Sequence, residues 1–112
     1  MRYAVPITDG KVSEHFGRCS YFAFFDVDET RNAIIKKEII IPPGYEPGVL
    51  PTWLAEEGVS VVIANGVGSR AQSLFKENHI KVIANALEDD PEKAVLRYRE
   101  GILAVGDSIC DQ

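Results

Sequence analysis

The 112-residue sequence is poor in the residues that most often bind metals or cross-link small proteins, with two cysteines and two histidines. Long hydrophobic runs are also absent, and no apolar stretch approaches the roughly 18 residues of a membrane span. The N-terminal Met1–Tyr3 leads directly into a strand-like run without the long apolar region of a signal peptide. We therefore expect a cytoplasmic protein whose cysteines are free thiols.

Positive charge is scarce as well. The sequence has 12 lysines and arginines against 17 acidic residues, a formal net charge of -5. Nucleic acids and anionic membranes are bound by clustered basic residues, so we expect neither as a partner. The hydrophobic fraction is 46% and the charged fraction 26%, as in ordinary globular domains. This composition and length predict a single domain over residues 1–112, with a loose tail over 102–112.

Apolar and turn-forming residues alternate along the chain in an order that predicts an α/β fold. The first three strand-like segments form a meander, and the later ones alternate with amphipathic segments that suit right-handed crossovers. A mixed five-stranded sheet follows from this order. The expected strands are residues 1–7, 21–28, 33–41, 59–64 and 80–83, and the expected helices begin after Gly48, Gly68 and Asp90.

The segment of residues 13–19 concentrates reactive side chains, with an imidazole at His15, a guanidinium at Arg18 and a thiol at Cys19. Histidine and cysteine bind transition metals and metal-sulfur clusters, and arginine pairs with anions. The alternative has equal weight: His15 caps a turn, Arg18 is solvated and Cys19 is a small buried residue. One histidine and one cysteine do not complete a tetrahedral site, so a second source of ligands would be needed.

The Gly66–Ala71 segment matches the glycine-rich fingerprint of dinucleotide-binding proteins and lies between a predicted strand and a predicted helix. The acidic residue that this motif requires is missing, because the next strand ends at Ile83 without one. Exposed backbone N–H groups near Gly68, together with Ser69 and Arg70, would suit some anion. A tight turn that lets the helix pack on the strand is the favoured alternative.

Four segments, residues 1–7, 13–19, 43–48 and 66–71, closely resemble the dinitrogenase iron-molybdenum cofactor biosynthesis family. The resemblance implies a ribonuclease H-like fold, a mixed five-stranded sheet with helices on both sides. It also implies a protein that is not an enzyme and that binds and carries an anionic metal-sulfur cluster or cofactor precursor. The implied cargo is an iron-sulfur, iron-molybdenum or other molybdenum-sulfide cluster, and one relative carries a molybdenum-copper sulfide cluster.

The same resemblance implies partner proteins, an oligomeric state and site residues. Donor and acceptor proteins for the cluster are the expected partners, and the chain is expected to be a monomer or a weak homodimer that can be purified in its apo form. Two positions depart from the family pattern, Tyr45 in place of a histidine and Gln112 in place of a final histidine. The family signature falls on His15, Phe16, Gly17, Gly66 and Gly68, which take the implied cofactor-binding role. An anionic cargo also needs positive and polar groups, which adds Arg18, Ser69 and Arg70 to the expected cofactor-binding residues, and it needs soft metal ligands, for which we expect His15, Cys19 and Cys110.

Two other functions are alternatives to a carrier. A non-catalytic interaction module would bind a partner protein or a small anion without any metal cluster. A nuclease is disfavoured, because the two-metal chemistry of ribonuclease H-like enzymes needs carboxylates on the first strand. The run from Tyr3 to Ile7 contains none.

Overall fold

A computed structural model describes residues 1–46 and 48–106. The predicted ligand Cys110 and the second half of the predicted tail lie outside these residues. The described chain forms six strands and three α-helices, and helices alternate with strands from residue 49 onward. The strands are β1 (Arg2–Thr8), β2 (Lys11–Val12), β3 (Tyr21–Asp28), β4 (Ala33–Ile40), β5 (Val61–Ile63) and β6 (Lys81–Ile83), and the helices are α1 (Val49–Glu56), α2 (Ser69–Glu77) and α3 (Pro91–Glu100).

The sheet is mixed, as predicted, with the strand order β4-β3-β1-β5-β6. Strands β1, β5 and β6 run parallel, and β3 and β4 continue the sheet in antiparallel fashion. The prediction of five strands is wrong, because β2 pairs with the end of β1 as a sixth strand. Asp9 and Gly10 turn the chain between them with φ angles of 53° and 77°, the left-handed conformation of a two-residue hairpin turn.

Each face of the sheet has its own hydrophobic core, because alternate residues of β1 point to opposite sides. Ala4 packs in one core with Leu54 of α1 and Phe75 of α2. Val5 packs in the other core with Val95 of α3. Helices therefore cover both faces, and the short strand β5 between them is buried along its whole length.

Strand β4 forms one outer edge of the sheet. Its pairing with β3 shifts register opposite Asp26 and Val27, which marks a bulge. Ile35 and Ile39 on this strand are largely exposed, at 65% and 55%. Lys37 lies between them in sequence and forms an ion pair with a glutamate of α3.

The helices differ in how their ends are capped. Asp90 caps α3 by accepting hydrogen bonds from the N–H groups of Glu92 and Lys93, and Gly101 ends it in the left-handed conformation. Helix α2 has Gly68 as its N-cap and no capping side chain. After α3 the chain returns beside the segment that follows β6, where the Leu87 N–H donates to the Ala104 carbonyl, so the first part of the predicted tail is attached to that segment. None of the helices in the described part of the chain is long and apolar enough to cross a membrane.

Candidate binding site

A cavity of about 450 Å³ opens where β1 and β5 end. In sheets of this kind, ligands commonly bind outside the carboxyl ends of parallel strands. The cavity lies between the loop that follows β2, the segment that leads into α1, and the start of α2. Its lining includes seven of the eight predicted cofactor-binding residues, namely His15, Phe16, Gly17, Arg18, Gly66, Gly68 and Arg70.

Three side chains give this cavity the character of an anion site. His15, Arg18 and Arg70 are all exposed and line the same opening. Among residues 1–46 and 48–106, no acidic side chain forms a salt bridge with Arg18 or Arg70. The one acid in the lining is Glu46. Both guanidinium groups are therefore available to a negatively charged ligand.

The start of α2 adds to this positive character. Its N-cap is Gly68, which supplies no side chain to bind the first N–H groups, and the Gln72 N–H closes the first turn on the Gly68 carbonyl. Uncapped N–H groups and the helix dipole both favour a nearby anion. Ser69, the remaining predicted residue, is exposed at the head of the helix and does not line the cavity.

The loop of residues 13–19, here called the histidine loop, is joined to the turn of residues 66–68, here called the glycine turn, by a pair of backbone hydrogen bonds. The Gly66 N–H donates to the Glu14 carbonyl over 3.0 Å, and the Phe16 N–H donates to the Gly66 carbonyl over 2.8 Å. A Cβ atom at position 66 would lie 2.2 Å from the Glu14 oxygen and 3.7 Å from Nδ1 of His15. Glycine is needed at position 66 because the two segments approach so closely.

Phe16 anchors the histidine loop in the core. Its ring makes edge-to-face contacts with Phe75, at 5.0 Å between centroids, and with Phe22, at 5.7 Å. The chain then makes one 3-10 turn over Phe16–Arg18, closed by the Arg18 N–H on the His15 carbonyl. A buried aromatic residue thus fixes the loop, and its exposed neighbours face the cavity.

Cys19 lies elsewhere. Its side chain belongs to the core and is 3% exposed, and burial raises the pKa of its thiol. It does not line the cavity with His15. No group of three histidine, cysteine or acidic residues in the described chain could hold a metal ion. The structure therefore does not bring the two predicted ligands to a common opening, and its placement of Cys19 matches the alternative of a small buried residue.

None of the predicted site residues belongs to the outer wall of the cavity, although residues 43–48 form one of the segments that resemble the family. Tyr45, Glu46 and Leu50 line it from the segment around the start of α1, opposite Leu74 of α2. The Tyr45 hydroxyl donates a hydrogen bond to the Cys19 carbonyl, which ties this segment to the histidine loop, and burial raises the pKa of the phenol. The proline- and glycine-rich composition of residues 42–48 indicated a loop, but nothing in it indicated which side of the sheet the loop would cover.

Comparisons with known proteins agree with this architecture. The family model described as dinitrogenase iron-molybdenum cofactor matches residues 1–101. An uncharacterised protein of Methanocaldococcus jannaschii, MJ0580, is 32% identical over 88 residues, which span 73% of this chain and 72% of that protein.

Solved structures are similar over nearly the whole chain. The crystal structure of PH0822 has 28% identity and a TM-score of 0.85, covering 96% of this chain and 98% of that one. The apo form of the orange protein from Desulfovibrio gigas has 26% identity and a TM-score of 0.72, covering 94% and 92%. Since the family model spans most of the sequence, the chain belongs to the dinitrogenase iron-molybdenum cofactor family.

Proposed function

We propose that this protein binds and carries an anionic metal-sulfur cluster or cofactor precursor and that it is not an enzyme. One observation carries the proposal: His15, Arg18 and Arg70 surround a single open cavity at the strand ends. The imidazole supplies one replaceable ligand, and the two guanidinium groups supply charge. A site with so few ligands holds its cargo without trapping it, which a carrier requires.

The cavity walls fit this kind of cargo. Phe16, Leu50 and Leu74 contribute apolar surface beside the charged groups. Sulfide-rich clusters present soft, weakly hydrated faces, so an apolar wall with a few positive groups suits them better than a uniformly polar one. The iron-sulfur, iron-molybdenum and other molybdenum-sulfide clusters implied by the family all have this character.

The family and its members support the same proposal. The matching family model is named for the iron-molybdenum cofactor, and the orange protein structure is that of an apo form. Proteins that make or receive the cluster are the proposed partners. A nuclease function is disfavoured by β1, which has no carboxylate for two-metal chemistry.

The two histidines of the chain provide a matched test of the ligand. We expect His15→Asn to weaken cluster binding roughly tenfold or more, because it removes a metal ligand. His79→Asn is the control, since His79 lies at the end of α2 with a φ angle of 60° that asparagine tolerates. Each protein is purified without oxygen and mixed with ferrous ion and sulfide, tetrathiomolybdate alone, or tetrathiomolybdate with cuprous ion. Visible charge-transfer absorption that co-elutes with the protein is the measurement.

Three outcomes are informative. Colour bound by the wild-type protein and by His79→Asn, but not by His15→Asn, supports the proposal. Equal colour in all three proteins contradicts the role of His15. A wild-type protein that stays colourless with every cluster source contradicts the carrier function itself.

A second function is favoured by the absence of three grouped metal-binding side chains in the described chain. In that case the protein is an interaction module whose cavity binds a small anion or an acidic group of a partner. Inorganic phosphate, titrated calorimetrically, tests this alternative. Arg18→Gln combined with Arg70→Gln would abolish phosphate binding, whereas His15→Asn would leave most of it.

A further inference from the structure

Ser13 is an unusual residue in this fold. It is a small polar residue that is nevertheless buried, with 3% of its surface exposed. Burying a hydroxyl group is unfavourable unless it is hydrogen-bonded. The partners of this hydroxyl therefore indicate what the residue does.

All of the hydrogen-bonding capacity of the Ser13 hydroxyl is directed toward His15 and Thr8. The hydroxyl donates to the His15 carbonyl over 2.9 Å and accepts from the His15 N–H over 3.2 Å. The Thr8 hydroxyl donates to the same oxygen over 3.0 Å. Because this oxygen accepts from Thr8, its own hydrogen is directed to the His15 carbonyl. Both backbone polar groups of His15 are thus held by one side chain.

The glycine turn holds the residues on either side. Glu14 and Phe16 exchange backbone hydrogen bonds with Gly66, so the chain is fixed immediately before and after His15. Ser13 fixes the residue between them. The imidazole itself is exposed at the cavity, and the backbone from which it projects is held on both sides.

We infer that Ser13 is a positioning residue that presents the His15 imidazole to the cargo. The inference rests on the proposed function, because it assigns Ser13 to the same site. A ligand that is already fixed in its binding direction loses less conformational freedom when cargo binds. Ser13 therefore acts on cargo release, and Thr8 acts through Ser13.

The test uses the full chain with four substitutions. Ser13→Ala removes the hydroxyl, and Thr8→Val removes the group that orients it while keeping the side-chain shape. Thr8→Ser restores that group. Ser73→Ala is the control, because Ser73 is an exposed serine of α2.

We expect Ser13→Ala to speed cargo dissociation roughly tenfold, since two hydrogen bonds to His15 are lost. The association rate should stay within about twofold, because the charges around the cavity are unchanged. Thr8→Val should have a smaller effect in the same direction, and Thr8→Ser should behave as wild type. Stopped-flow absorbance with the cluster source that colours the wild-type protein measures both rates.

A second readout needs no cargo. Amide ¹⁵N relaxation in the apo protein should report a more mobile backbone at residues 14–16 in Ser13→Ala than in Ser73→Ala. If the wild-type protein takes up no cluster, the proposed function fails, and this measurement still decides whether Ser13 orders the loop.

The inference is overturned if Ser13→Ala leaves both the relaxation of residues 14–16 and the dissociation rate unchanged. It is also overturned if Thr8→Ser releases cargo as fast as Thr8→Val, because the hydroxyl would then be irrelevant. If Ser13→Ala does not fold, the pair of Thr8 variants decides the matter alone.

Discussion

Two glycines at the start of α2 differ in what their surroundings allow. Gly66 has the Glu14 carbonyl within 2.2 Å of any added Cβ, whereas Gly68 has open space there. The backbone of Gly68, with φ -67° and ψ 158°, is also one that any residue can adopt. The fingerprint pattern treats the two positions alike, but only the first has a steric requirement.

This contrast gives a prediction about stability. Gly66→Ala should lower the free energy of unfolding by about 1–3 kcal/mol, because the histidine loop must move away from the glycine turn. Gly68→Ala should be neutral or stabilise by up to about 1 kcal/mol, through the unfolded chain. Urea unfolding of both variants measures the difference. Equal destabilisation would mean that the close approach of Glu14 and Gly66 is not rigid.

The candidate site could be predicted from the sequence only in part. His15, Arg18, Gly66 and Arg70 were identified because they combine chemistry with turn signals, and all four line the cavity. Whether they bind a cluster stays a prediction. Cys19 was named by chemistry alone, and its burial depends on the packing of Phe16 and its neighbours, which no local pattern encodes.

At the level of single elements, α3 shows how a local signal produces a local result. Asp90 accepts two backbone N–H groups, at 2.9 and 3.1 Å, and Pro91 follows it as the first helical residue. Both groups belong to the first turn, where nothing else in the helix can bind them. The sequence contained everything needed to locate this helix start.

We therefore expect Asp90→Ala to lower the free energy of unfolding by about 1 kcal/mol. Asp90→Ser should retain most of the stability, because serine caps helices nearly as well. Thermal unfolding followed by circular dichroism compares the two with wild type. A serine variant as unstable as the alanine variant would show that the carboxylate charge, and not the cap, stabilises the helix.

Strand β2 shows the opposite case. With two residues it is too short to show a hydrophobic period, and its pairing with β1 depends on the left-handed turn at Asp9 and Gly10. The longer strands and all three helices were predicted within a few residues of their ends, since each has a period or a cap. Elements are therefore predictable here when a hydrophobic period or a cap marks them in the sequence. Strand β2 has neither, and the turn before it determines its pairing.

At the scale of the whole molecule, Arg2 connects three elements near one end of the sheet. From β1 it binds the Asp26 carboxylate of β3 through Nε at 2.9 Å and Nη2 at 3.3 Å, and it donates to the Glu57 carbonyl at the end of α1 over 2.8 Å. The hydrogen bond from Arg2 holds the pKa of Asp26 below its usual range. The hairpin half and the crossover half of the fold meet at this residue.

The lowered pKa sets the sign of a pH dependence. Stabilisation by Asp26 is fully present above the ordinary carboxyl pKa near 4 and is lost as the pH falls through the lower folded value. Asp26→Asn should therefore cost roughly 1–2 kcal/mol at pH 7 and progressively less as the pH falls through the folded-state pKa. Asp9→Asn, at an exposed turn position, is the control. Urea unfolding at several pH values tests this, and a constant difference down to pH 2 would refute it.

The cavity itself is a property of the whole molecule, because its walls come from segments about 30 and 50 residues apart in the chain. His15 follows the first hairpin, Tyr45 precedes α1, and Gly66 follows β5. These segments converge because β5 pairs in parallel with β1, the first strand of the sequence. Local patterns name the residues of each wall, but the sheet topology makes the walls meet.

The outer strand β4 has a consequence for how the protein meets other chains. A strand from another chain that paired with the β4 edge would have to match the irregular backbone at the bulge near Ile35. It would also have to accommodate the ammonium group of Lys37. Irregular spacing and lysine are two means by which natural proteins discourage fibre-like growth from an open sheet border. We therefore expect the exposed isoleucines not to recruit neighbouring chains, so a concentrated solution of this protein should remain clear.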